Sequence, residues 1–249
     1  MNNNFIDSQE GYTQEISREF FRSVYSYMFG ALGISGLIAY VVGTGQQVVL
    51  ENGQKLPLFY VEYFLSATGS ISPLFYVVMF APLALGLIMQ WGYRSLSMGV
   101  LLALFIAYSA TMGLTLSTVF LVYSGAAIAS TFFVSAGAFA GMAILGYTTK
   151  TDLTKFGSLL YMVFIGMFIA GIVNMFLGNG MLDFIIAVVG VFVFTGLTAY
   201  YMQQLKGVSQ DTSLSGIDRN KLSLVGGLQL YILFVNLFLS LLRILGSRD

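Results

Sequence analysis

The feature that most limits how this chain can fold is a long run without any charged residue, between Arg94 and Lys150. A transmembrane helix needs about 20 mostly apolar residues to cross a hydrocarbon core roughly 30 Å thick. As one helix, at about 1.5 Å per residue, this run would extend for roughly 80 Å. It must therefore fold into two spans, and the best break is the segment LVYSGA around Ser124 and Gly125.

The other gaps between charged residues each leave room for one more span. Pro82 lies inside the second span and should kink it, because proline removes a backbone donor. The runs do not alternate polar and apolar residues as barrel strands would. We therefore predict an all-α integral membrane protein, a seven-transmembrane-helix bundle. Its spans are residues 24–42, 74–90, 96–119, 125–147, 159–177, 184–205 and 222–245.

The composition supports this class of protein and excludes several functions. Only 9% of residues are charged and mean hydropathy is +0.83, whereas soluble domains are near 25% charged. The net charge is zero, so there is no basic face for nucleic acid. There is no histidine or cysteine, and no Asp, Glu, Lys or Arg lies at the centre of a span. We expect no enzyme activity, no metal site and no cofactor.

Basic residues predict the orientation, because loops on the cytoplasmic side are enriched in Lys and Arg. Of the 11 basic residues, three lie on one side of the predicted membrane, namely Lys55, Arg243 and Arg248. The others lie on the side of the N-terminus. We expect a cytoplasmic N-terminus and an extracytoplasmic C-terminus. Residues 1–19 then form a polar cytoplasmic tail, either a disordered end or a handle for a partner, and residues 20–249 form a single transmembrane domain.

Two loops carry local signals. The segment ENGQKL in the long first loop predicts a hairpin turn between two short strands. In GYTTKTDLTKFG, between spans four and five, Thr149 to Asp152 fit a capping box, which would place Asp152 in the first turn of span five. An ordinary capped loop and a functional site are both compatible with this second pattern.

Small residues fill span four, where Gly137 and Gly141 form a G-xxx-G pair. Such residues let helices approach closely in lipid. The pair predicts either tight packing inside the bundle or a dimer face.

Span seven carries a polar stripe along one helical face, interrupted by Leu233. Its four polar residues follow one another at intervals of seven, four and three positions, which keeps them on the same helical face. Polar groups in a membrane helix should face protein or a wet cavity, so the stripe predicts interhelical hydrogen bonds or a narrow polar pathway. Thr198 and Tyr201 of span six and Asn174 of span five offer partners. The stripe consists of Gln229, Asn236, Ser240 and Arg243, extended by Gly226.

The same residues resemble the Bax inhibitor-1 (transmembrane Bax inhibitor motif) family in its bacterial branch. The resemblance covers about residues 113–243. It implies a seven-helix fold with the last helix central, in the bacterial cytoplasmic (inner) membrane. Its motifs are YSGAAIASTFFVSAGAFAGMAILGYTTKTDLTKFG, NMFL, FTGLTAYYMQQLK and LYILFVNLFLSLLR.

The resemblance implies a pH-sensitive calcium leak gated by two aspartates, one in span six and one in span seven. In this chain those positions are Tyr201 and Leu233. Tyrosine titrates near pH 10 and leucine does not titrate, so neither can sense physiological pH. Tyr201 and Leu233, the expected pore or former sensor positions, therefore carry no acid.

Two functions remain open at this point. The first is an ion (calcium) leak channel that has lost its acidic sensor. The second is a non-transporting regulatory, stress or quality-control protein of the membrane. Some bacterial relatives of this family are linked to the membrane-bound AAA protease, so such a protease or another membrane protein is the implied partner, besides the lipid bilayer.

Overall fold

The structure, a computed structural model, describes residues 2–50, 55–65 and 70–246, and for residues 2–13 it describes only the backbone. The described residues form seven long helices that are apolar enough to cross a membrane. This confirms the predicted all-α, multi-pass membrane protein. The helices are α1 Asn2–Gly43, α2 Pro73–Gly92, α3 Met98–Ser117, α4 Gly125–Thr148, α5 Thr154–Leu177, α6 Gly180–Gln210 and α7 Gly216–Leu245.

Several helices extend beyond the predicted spans. α6 has 31 residues and α7 has 30, so each is about 45 Å long, more than the core of a bilayer requires. Residues 2–19 belong to the same helix as the first span. Beyond the apolar part of α1, Ser17 is buried and its hydroxyl lies 2.8 Å from that of Ser209 at the end of α6.

The connections follow the sequence signals in most places. α2 continues through Pro82 as one helix, and α4 begins at Gly125, as the predicted break requires. The first loop contains an antiparallel hairpin of β1 Gln47–Val49 and β2 Lys55–Pro57. Its predicted turn at residues 51–54 lies outside the described residues.

The chain divides into two compact units. Unit one is built from Met1–Ser23, Gly125–Arg219 and Gln229–Ser247, and unit two from Val24–Ser124 and Asn220–Leu228. Helices α1 and α7 therefore each contribute residues to both. The polar residues of the stripe, from Gln229 to Arg243, and both former sensor positions belong to unit one, whereas Gly226 belongs to unit two.

Unit two packs the second half of α1 on α3. Gly113 of α3 lies against Ser35, and a Cβ at Gly113 would stand 2.8 Å from the Ser35 carbonyl oxygen. The rings of Tyr27 and Phe105 meet edge to face at 5.8 Å. Close backbone approach of this kind holds helices together in lipid, where burial from water contributes nothing.

Unit one has an aromatic core built around α7. The ring of Phe234 meets Phe132 at 5.4 Å and Phe139 at 5.6 Å, both from α4. In the most apolar part of α7, 56% of the residues are buried, whereas the corresponding share in the other spans is between 11% and 33%. α7 is thus the most enclosed helix, which agrees with the expectation that the last helix is central.

Candidate functional site

α6 and α7 meet near the start of α6 and the end of α7. The charge distribution predicts that these two ends are extracytoplasmic. Ser240 of α7 lies directly against Gly190 of α6, because a Cβ at Gly190 would be 2.5 Å from the Ser240 Oγ. Near the same ends, Arg243 Nη1 lies 3.5 Å from Asp183 Oδ1. α6 begins where α7 ends, so the two helices run antiparallel and the outer half of the stripe faces α6.

This contact fixes the levels of the two former sensor positions along the helices. Leu233 precedes Ser240 by 7 residues, or about 10 Å of helix, and Tyr201 follows Gly190 by 11 residues, or about 16 Å. Leu233 and Tyr201 therefore differ in level by about 6 Å, roughly one helical turn. Tyr201 lies near the level of Gln229 instead.

Hydrogen bonds of the stripe run mostly within single helices. Asn236 Nδ2 donates to the Ile232 carbonyl at 2.8 Å, and the Thr198 hydroxyl donates to the Phe194 carbonyl at 2.7 Å. The interpretation of these two side chains as interhelical hydrogen-bond partners is therefore wrong. Their polar groups are satisfied one turn back along their own helices, which lets them lie in an apolar setting without a partner helix.

Asn174 has a local role that the sequence interpretation missed. Its Oδ1 accepts a hydrogen bond from the Asn179 N–H at 3.0 Å, and its carbonyl accepts from the Gly178 N–H. Gly178 has a φ of +61°, a left-handed conformation that glycine adopts without strain. Asn174 therefore stabilises the turn between α5 and α6 and does not reach the stripe as a hydrogen-bond partner.

The stripe is interrupted at its centre. Leu233 is only 3% exposed, and the neighbouring Asn236 is committed to its own helix. Gln229 is half-buried, and within the part of the chain that the structure describes its side chain makes no hydrogen bond. The polar positions therefore form separate groups along α7, with an apolar plug between Gln229 and Asn236.

Acidic ligands are missing from this region. Among residues 14–50, 55–65 and 70–246, whose side chains the structure describes, there is no cluster of three or more His, Cys, Asp or Glu that could hold a metal. Asp183 is paired with Arg243 near the ends of their helices. At the two positions where the resemblance implies aspartates, the chain has the half-buried Tyr201 and the buried Leu233.

The α4–α5 loop is held by a side chain that sequence interpretation passed over. Gln203 of α6 donates from Nε2 to the Thr151 carbonyl at 2.8 Å and accepts at Oε1 from the Leu153 N–H at 2.9 Å. A glutamine amide is well suited to this because it can donate and accept at once. In the sequence, the only signal of this role was that Gln203 lies in the motif FTGLTAYYMQQLK.

The predicted capping box in this loop is wrong in its details. The helix begins at Thr154, so Asp152 precedes the first turn of α5, and the Thr149 hydroxyl instead accepts from the Thr151 N–H. Asp152 Oδ1 accepts from the Thr154 hydroxyl at 2.6 Å and its N–H at 2.9 Å. These hydrogen bonds, with a smaller contribution from the charge of Lys155, hold the pKa of Asp152 below its ordinary value.

The glycines of α4 pack differently from the prediction. Gly137 and Gly141 are exposed, and a Cβ at either would meet nothing within 4 Å. The interpretation of this pair as tight packing inside the bundle is therefore wrong. Gly146 is the glycine that packs, because a Cβ there would stand 2.6 Å from the Ala199 Cα of α6.

Comparison with known proteins identifies the family. The family described as "Inhibitor of apoptosis-promoting Bax1" matches residues 17–249. The chain belongs to the Bax inhibitor-1 family. It is 46% identical over 172 residues to "Inner membrane protein YbhL" of Escherichia coli K12, a match that covers 69% of this chain and 74% of that protein.

Other bacterial relatives match almost the whole chain. An uncharacterised protein of Borreliella burgdorferi is 38% identical over 237 residues, covering 94% of each chain. One of Caulobacter vibrioides is 39% identical over 233 residues, covering 92% of this chain and 89% of its own. Membership of the Bax inhibitor-1 family therefore extends well beyond residues 113–243, on which the resemblance first rested.

Proposed function

We propose that this Bax inhibitor-1 family member is a non-transporting regulatory or quality-control protein of the bacterial inner membrane. One observation carries the proposal: the stripe on α7 is interrupted by the buried Leu233, and neither former sensor position has an acid. A calcium path needs oxygen ligands that replace the hydration shell of the ion. The apolar plug between Gln229 and Asn236 supplies none.

A regulatory or quality-control protein of this kind acts through a partner protein. The membrane-bound AAA protease implied by the family resemblance is our candidate. The surface that we assign to it is the part of α1 that precedes the apolar span, where Gln14 and Glu15 are exposed. Because this segment is helical, it can present a fixed face at little cost in conformational entropy.

The second candidate function is an ion leak without a pH sensor. It is favoured by Gln229, a half-buried amide without a hydrogen bond among the described residues. A half-buried amide without a protein partner can be satisfied by water, and water or an ion entering from the Gly216 end of α7 would reach Gln229. This function requires Leu233 to move out of the path.

Flux and cross-linking together test the proposal. Purified protein in liposomes should give no protein-dependent calcium flux at any pH between about 6 and 8. A photoreactive residue at Glu15 should capture a protease subunit in cells, whereas the same group at the exposed Phe133 of α4 should not. Flux that does not vary with pH would support the leak instead, and flux that depends steeply on pH would contradict both functions.

A further inference from the structure

The α4–α5 loop forms a rigid platform at the membrane surface. It lies between the spans Gly125–Thr148 and Thr154–Leu177, and the two hydrogen bonds of Gln203 hold its backbone. Asp152 caps the start of α5 through Thr154. Side chains of this loop are therefore presented from a fixed backbone, independently of the α6–α7 site.

Three lysines lie on or beside this platform. Lys150 and Lys155 are exposed, and neither makes an ion pair within the described part of the chain. Lys206 of α6 donates to the Tyr147 carbonyl at 2.8 Å, and its Nζ lies 5.1 Å from the centre of the Tyr147 ring. Lys206 is thereby held beside the end of α4, and no carboxylate of the described residues forms an ion pair with it.

The single acid of the platform does not cancel these charges. Asp152 directs its carboxylate to the start of α5, where it accepts two hydrogen bonds and meets the positive end of the helix dipole. Three lysines against one aspartate leave a net positive surface.

Exposed apolar side chains lie on the membrane side of the lysines. Phe156 is 48% exposed and Leu159 is 55% exposed, both in the first turns of α5. Tyr147 at the end of α4 is 38% exposed. Apolar and aromatic groups directly beside basic groups match the boundary between acyl chains and headgroups.

We propose that Lys150, Lys155 and Lys206 form a binding site for the headgroup of an anionic phospholipid of the adjacent leaflet. The lysines contact the phosphate, while Phe156 and Leu159 pack against the acyl chains below it. A free phosphate shares the charge but lacks the acyl chains, so the apolar rim favours the lipid.

Calorimetric titration of the full chain in detergent with short-chain phosphatidylglycerol tests this site. Phosphatidylcholine of the same chain length is the uncharged comparison. Each basic residue at a membrane surface contributes roughly a fivefold change in binding. We expect Lys150→Gln with Lys155→Gln to weaken phosphatidylglycerol binding about 25-fold, and added salt to weaken wild-type binding through screening.

Lys55→Gln is the control, because it removes one lysine charge at an exposed position of β2, in the first loop. It should leave phosphatidylglycerol binding unchanged. Equal binding by the wild type and the double variant would overturn the proposal. So would equal binding of phosphatidylcholine, and so would full displacement by excess inorganic phosphate, which would indicate a site for free anions.

Discussion

Gly146 of α4 lies so close to Ala199 of α6 that no side chain fits between the two helices. This contact joins the GYTTKTDLTKFG segment to the FTGLTAYYMQQLK segment, which belong to two of the four motifs that carry the family resemblance. It also shows which glycine of α4 has a packing role, since Gly137 and Gly141 face open space.

Gly146→Ala should therefore destabilise the protein, by about 1–3 kcal/mol, as overpacking usually does. Gly141→Ala on the same helix is the matched control and should be neutral or slightly stabilising, because alanine favours a helix over glycine. Thermal unfolding in one detergent would compare the two variants. A Gly146→Ala protein as stable as the Gly141→Ala protein would contradict the close contact.

Gln203→Ala should release the α4–α5 loop, because it removes both hydrogen bonds that hold the backbone. Hydrogen exchange at the Leu153 amide should become faster, since that N–H donates to Gln203 Oε1. Gln204→Ala is the control, because Gln204 hydrogen-bonds Tyr200 on the α5–α6 face and does not reach the loop. Unchanged exchange at Leu153 in Gln203→Ala would mean that the loop is held by other contacts.

The contribution of Asp152 to the stability of the start of α5 should depend on pH only in the acidic range. Its pKa is lower in the folded protein than in the unfolded chain. Its contribution to stability is therefore complete above the ordinary aspartate pKa and is lost as pH falls through the folded pKa. Thr154→Val removes the hydroxyl donor, so the Asp152 pKa should rise, as a pH titration of the neighbouring amide signals by NMR would show. An unchanged Asp152 pKa would exclude this hydrogen bond as the cause.

The charge distribution predicts an extracytoplasmic C-terminus. A C-terminal reporter that is active only in the cytoplasm should be silent, whereas the same reporter at the N-terminus should be active. An active C-terminal reporter would contradict the orientation and the odd number of spans.

Gaps between charged residues were sufficient to predict seven spans, because charge is excluded from the hydrocarbon core. They did not predict helix ends. Lys206, Arg219 and Lys221 lie within α6 and α7, which continue past the apolar spans. A helix can continue into water because its backbone hydrogen bonds tolerate charged side chains there. Charged residues therefore indicate the membrane boundary but not the end of the helix.

The candidate site was harder to predict than the fold. Spacing predicts that Gln229, Asn236 and Ser240 share one face of α7, because helical period is a local property. Hydrogen-bond partners depend on tertiary neighbours, and Asn236 bonds its own helix. The same limit applies to glycines: Gly146 has α6 beside it, whereas a Cβ at Gly141 would meet nothing within 4 Å.

The most direct test of the account is calcium flux through Tyr201→Asp with Leu233→Asp in liposomes, measured between about pH 6 and 8 beside the wild type. Two carboxylates about one turn apart cannot both stay ionised at low cost, so one should have a raised pKa. A poorly paired acid in a membrane costs a few kcal/mol, so folded yield is checked first.

We expect the folded double variant to gain pH-dependent calcium flux. The wild type should show none, and each single variant should show less than the pair, because one isolated acid stays mostly protonated. Flux that depends steeply on pH in the wild type would contradict the account. So would a folded double variant without any flux, since it would mean that Tyr201 and Leu233 do not occupy a shared path.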